Sequence, residues 1–173
     1  MTRRGRLLFI VLVVVQVVVI VGLAAGREIT LRGGEDVTLQ TRPVDPRDLF
    51  RGDYAILDYE IGRVDTDRLD WLYLDPGDTV YVELVQRGDV WVTGRFDRDP
   101  FDEFTTQIRG TIVRASTEWT TVDYGIGEYF VPEGTGRTVE RAADVKVVVA
   151  LDRSGGPVIR HLIIDGEVWD PHG

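Results

Sequence analysis

Asp53-Tyr54-Ala55-Ile56-Leu57-Asp58-Tyr59-Glu60-Ile61 is the stretch on which the reading of the fold turns. Successive side chains of a strand point to opposite faces, which puts Ala55, Leu57, Tyr59 and Ile61 on one side and Tyr54, Ile56, Asp58 and Glu60 on the other. The first set is the more apolar and is expected to face a core. Residues 53–61 therefore read as a half-buried strand.

The same grammar extends outward. From residue 27 to 173, short runs rich in Val, Ile, Thr, Tyr and Trp are punctuated by Gly, Asp or Pro, the pattern of many strands joined by tight turns. Further strands are expected over residues 28–31, 36–42, 78–86, 90–96, 107–115, 119–123, 128–131, 144–151 and 158–164. Arg87-Gly88-Asp89 reads as a hairpin loop. Ser154-Gly155-Gly156-Pro157 reads as another, its glycines supplying positive φ. Helical signal is short: residues 66–73, with Thr66 as a possible N-cap, and residues 135–142, with Thr135 or Thr138 offering the capping oxygen. No repeat and no Pro/Gly/Ser-rich linker divides this part. The expected fold is all-β: a single antiparallel sandwich or partly open barrel with one or two short helices.

Residues 7–25 are of another kind. They form an uninterrupted apolar run whose only polar side chain is Gln16, and as a helix they span about 28 Å, close to the hydrocarbon thickness of a bilayer. A lone span in lipid must satisfy its own backbone, so it is a helix. Arg3, Arg4 and Arg6 precede it, while Arg27 and Glu28 behind it nearly cancel. By the positive-inside rule, residues 1–6 stay in the cytoplasm, residues 7–25 are the transmembrane anchor and residues 26–173 are exported. The expected location is the cytoplasmic membrane, single-pass, with the C-terminal domain outside. A cleaved signal peptide ending at Ala24 or Ala25 is the competing reading. The run exceeds the usual signal core, and Leu23 fits the small-residue rule poorly, so anchoring is preferred. Either way the remainder leaves the cytoplasm.

Composition removes several function classes. The net charge is −9, and without the three leading arginines it falls to −12, so nucleic acid is not an expected partner. There is no cysteine, which excludes disulfides and thiolate chemistry. His161 and His172 stand apart from any ligand-spacing motif, so no transition-metal site is expected. Asp97-Arg98-Asp99-Pro100-Phe101-Asp102-Glu103 lacks the calcium-loop pattern and reads as a solvated acidic loop. No phosphate loop or dinucleotide fingerprint is present, and no cofactor is expected.

Gly52-Asp53-Tyr54-Ala55-Ile56-Leu57-Asp58-Tyr59 matches the pattern Gly-Asp-Tyr-x-x-Leu-x-Tyr at every specified position, namely Gly52, Asp53, Tyr54, Leu57 and Tyr59. On this motif the chain resembles the bacterial family named for it, the GDYXXLXY proteins. Pro43-Val44-Asp45-Pro46-Arg47-Asp48 and Glu128-Tyr129-Phe130-Val131-Pro132-Glu133-Gly134 also look like family sequence. The resemblance implies a membrane-anchored protein, often encoded beside or fused to polytopic membrane proteins, and implies no activity. A turn feeding a strand accounts for all five motif positions: Gly52 relaxes the backbone, Asp53 caps the turn, and Leu57 and Tyr59 fill the core face. The functional alternative takes Asp45, Arg47, Asp48, Arg51, Asp53 and Tyr54 as a loop-borne binding cluster.

Leu49-Phe50-Arg51-Gly52-Asp53 also resembles part of the catalytic region of type I signal peptidases, whose chemistry needs a serine upstream of the glycine and a desolvated lysine. Residues 42–51 contain no serine. The only serines are Ser116 and Ser154, and Lys146, the only lysine, is expected to face solvent from its strand. A Ser–Lys dyad is not supported, and no catalytic residue is nominated. Asp58 with Glu60 is no evidence for glycosidase chemistry without a cleft, and Trp71, Trp91, Trp119 and Trp169 are read as filling the β-core or cross-strand pairs in preference to a sugar-stacking surface. The expected function is a non-enzymatic accessory domain contacting a polytopic membrane protein through residues 45–53 and 127–136. A cell-envelope binder of carbohydrate or peptide is the alternative, and a carboxylate hydrolase ranks last.

Overall fold

Helix α1 runs from Arg3 to Gly33, well beyond the apolar run. The computed structural model describes residues 3–42, 54–69, 73–132, 139 and 142–169, with the side chains of residues 3–8, 23, 24 and 54 outside that description. Residues 9–33 of α1 make a helix long and apolar enough to cross a membrane, and its apolar window is not buried by the rest of the protein. The strand expected at residues 28–31 is absent, because the helix continues through it. Glu28 and Arg32, one turn apart, pair at 2.6 Å, and the Thr30 hydroxyl bonds back to the Gly26 carbonyl. The helix stops at Gly33, where the next residue, Gly34, donates its N–H to the Thr30 carbonyl.

Among the described residues twelve strands follow: β1 (Glu35–Arg42), β2 (Tyr54–Ile56), β3 (Asp58–Tyr59), β4 (Arg63–Asp65), β5 (Thr79–Arg87), β6 (Val90–Asp97), β7 (Gln107–Ala115), β8 (Trp119–Asp123), β9 (Glu128–Phe130), β10 (Val145–Leu151), β11 (Pro157–Ile164) and β12 (Glu167–Trp169). They form two five-stranded sheets, ordered β12-β11-β10-β1-β3 and β4-β8-β7-β5-β6, and a two-stranded ribbon, β2-β9. Every described pairing is antiparallel. The all-β expectation holds.

The core follows from alternation. In β5, Val80, Val82 and Leu84 are buried while Thr79 and Val85 are exposed. Val37 and Leu39 of β1 meet them from the other sheet in one continuous apolar cluster. β10 departs from alternation, since Val147 to Leu151 are all buried. It is a central strand, and the end of α1 lies against β10 and β11 on that side, so neither face is wet.

Turn chemistry closes the hairpins. Gly88, at φ +65°, begins the two-residue turn between β5 and β6. Asp165 and Gly166, at φ +51° and +89°, form the turn between β11 and β12, as a two-residue Asp-Gly hairpin requires. Neither β4 nor β12 is foreseen in sequence; each has three residues, too few to show a period. Among the described residues of 66–73 there is a 3-10 turn, Thr66–Arg68, flanked by Asp65 as cap without a side-chain bond; residues 70–72 lie outside the description. Thr66 is not the N-cap: its hydroxyl donates to the Ser116 carbonyl at 2.7 Å. The helix expected at residues 135–142 lies almost wholly outside the described residues.

Candidate functional site

The alternation of residues 53–61 predicts faces correctly and continuity wrongly. Ala55, Leu57, Tyr59 and Ile61 are all buried, and Asp58 and Glu60 are exposed. The single strand, however, is divided at Leu57. β2 pairs with β9 in the register Tyr54↔Phe130, Ala55↔Tyr129 and Ile56↔Glu128, whereas β3 pairs with β1 as Thr41↔Tyr59 and Arg42↔Asp58. Leu57 bridges the change of partner: its N–H still bonds the Gly127 carbonyl at 2.8 Å. One local pattern thus serves two sheets, because facing the core requires only the period and not a common neighbour.

Two tyrosines lock this region. The Tyr59 hydroxyl donates to the Ile126 carbonyl at 2.9 Å, and the Tyr124 hydroxyl donates to the Ile61 carbonyl at 2.8 Å. Residues 59–61 and 124–126 are therefore clamped in both directions. Burial pushes both phenols well above their ordinary pKa, since a buried phenolate would lose its hydration. They are neutral donors in structural bonds. The two motif positions expected to fill the core, Leu57 and Tyr59, do so.

Asp45, Arg47, Asp48, Arg51, Gly52 and Asp53 lie outside the described residues, and Tyr54 is placed by its backbone alone, as the first residue of β2. What the structure decides is the attachment of this segment. Tyr54↔Phe130 is the terminal pair of the ribbon, so the residue that follows the nominated segment 45–53 pairs with a residue of the nominated segment 127–136. Phe130 is 48% exposed at that end, while the next residue, Val131, is buried. Sequence reasoning had selected both segments but not their pairing. The only available signal was the short β-type run at residues 128–131, and a run of that length does not specify its partner.

Other candidate groups are engaged elsewhere. Lys146 does not face solvent freely: its ammonium bonds the Asp89 carboxylate at 2.6 Å and lies 3.4 Å from Asp144. Asp89 and then Asp144 raise its pKa, the opposite of what a general base needs. The Ser116 hydroxyl donates to the Trp119 carbonyl, and that of Ser154 to the Asp152 carboxylate. In the acidic loop, Asp97 accepts the N–H of Asp99, and Asp102 accepts that of Phe104 together with the Thr105 hydroxyl. These carboxylates organise a turn rather than converge, and among the described residues no group of three His, Asp or Glu side chains is placed to hold a metal ion. Of the tryptophans, Trp91 and Trp169 pack against the core. Trp119 lies beneath the Arg63 guanidinium, 3.6 Å from its ring centre, an arrangement that sequence spacing did not reveal.

No curated protein and no solved structure matches the chain. Residues 16–162, by far the greater part of it, match the family model described as "GDYXXLXY protein", and the chain belongs to that family.

Proposed function

We propose that this protein is a membrane-tethered accessory domain without catalytic activity, which displays the end of its β2–β9 ribbon outside the cytoplasm to a polytopic membrane protein. The observation that carries the reading is the Tyr54↔Phe130 pairing, which joins the residue that follows one nominated segment to a residue of the other. Loops held on a rigid scaffold are where binding groups concentrate. The helix supports the tether, being long and apolar enough to cross a bilayer. The arginines ahead of it support the outward orientation, and the family resemblance supports a polytopic partner. The non-enzymatic reading is supported by the engagement of Ser116, Ser154 and Lys146 in structural contacts.

Photo-crosslinking in native membranes tests it. A photoreactive residue at position 130 of the full chain is expected to yield an adduct with one integral membrane protein. The same residue at position 113, where Val113 is 56% exposed on β7, is expected to yield none. Equal labelling from both positions, or no adduct from position 130, overturns the proposal.

A further inference from the structure

We propose that the β-domain sits directly on the bilayer, with the tip of the loop between β6 and β7, Phe104, inserted into its interfacial layer. The inference rests on the reading of α1 as a membrane span.

A single residue, Gly34, separates helix from sheet: α1 ends at Gly33 and β1 begins at Glu35. The junction is also packed. Thr30 is buried, and a Cβ at Gly34 would stand 2.7 Å from the Leu151 carbonyl oxygen, so helix and sheet abut without space for a side chain. Gly33 lies eight residues past Ala25, about 12 Å of helix rise beyond the apolar run. The polar layer of a bilayer is roughly 5–8 Å deep on each side, and the usual tilt of a span shortens the stand-off. The helix end therefore stands only about 4–7 Å beyond the headgroups before any tilt, close enough for a projecting loop tip of a domain fixed there to reach them.

The loop tip stands at this end of the domain. A cavity of about 160 Å³ is walled by Gly33 and Glu35 on one side and by Asp102, Glu103 and Thr105 on the other. The Thr106 hydroxyl donates to the Glu35 carboxylate at 3.0 Å, tying the loop to the start of β1. Phe104 is 91% exposed, more than any other large apolar side chain among the described residues. It is held out by design of the turn: Asp102 accepts the Phe104 N–H at 3.0 Å and the Thr105 hydroxyl at 2.9 Å. On the helix, Ile29 is 71% exposed at the same end. Rigidly presented apolar groups beside a span are the usual anchors of a domain at the water–lipid boundary, where an aromatic ring exchanges water for the headgroup region.

The chain has no cysteine, so single cysteines carry nitroxide labels without background. Phe104→Cys, Val15→Cys and Val113→Cys are made in the full chain, labelled and reconstituted in phosphatidylcholine vesicles. Collision rates with oxygen and with a water-soluble nickel chelate are then measured. The oxygen-to-nickel ratio is expected to be highest at position 15, and severalfold higher at position 104 than at position 113. Equal ratios at 104 and 113, with position 15 in lipid, overturn the seating of the domain. An aqueous label at position 15 overturns the membrane reading itself, and the seating with it.

Discussion

Tyr59 shows what a single residue does in this fold. Its ring fills the core face, and its hydroxyl satisfies the Ile126 carbonyl, a group that burial would otherwise leave without a partner. Tyr59→Phe keeps the packing and removes the donor. It is expected to lower unfolding stability by about 1–2 kcal/mol, read as a smaller denaturant midpoint with an unchanged circular dichroism spectrum. An unchanged midpoint would mean that the bond is replaced or redundant. The role of Tyr59, and that of Leu57, was legible in sequence because side-chain alternation is a property of consecutive residues. The bond from Tyr59 to Ile126 was not, because its partner lies in a segment 67 residues away.

Among the elements, the connection from β10 to β11 depends most on one carboxylate. Asp152 accepts the N–H of Ser154 at 2.7 Å, the Ser154 hydroxyl at 2.6 Å and the N–H of Gly156 at 2.9 Å. Gly155, at φ +78°, supplies the left-handed step. Burial alone would raise the Asp152 pKa, but these bonds outweigh it and hold the group below its ordinary value. A depressed carboxylate contributes stability at pH values above its unfolded pKa, and that contribution is lost as acid titrates the folded group. Asp152→Asn is therefore expected to be less stable than the parent at neutral pH. The difference should vanish on acidification through the carboxylate range, measured as paired denaturation midpoints against pH. A difference independent of pH would assign the effect to packing. The turn itself was visible in sequence from Ser154-Gly155-Gly156-Pro157, whereas the Asp165-Gly166 turn into β12 went unread. The strand at residues 28–31 was misread, because a β-type composition following an apolar run does not show where a helix ends.

For the molecule as a whole, the governing feature is the direct join between helix and sandwich. At Gly34, a Cβ would stand 2.5 Å from the Thr30 carbonyl oxygen and 2.7 Å from that of Leu151, distances that backbone atoms cannot relieve without moving. Gly34→Ala is expected to cost about 1–3 kcal/mol and to loosen the join. The check is limited proteolysis of the detergent-solubilised chain, which should cut faster between helix and β1 while the sandwich survives intact. Unaltered cleavage would show that the helix end tolerates displacement.

The sequence by itself determined the apolar helix, the β-rich character of the remainder, most strand positions and the inward face of the motif, since each depends on neighbours within about ten residues. Only the tertiary structure decided the partners: β1 beside β10, the motif strand divided between β9 and β1, and the helix end seated on the sheet. Those pairings join segments far apart in the chain. What selects among them is the closing of one shared core and the satisfaction of buried backbone groups, quantities that no short window of residues contains.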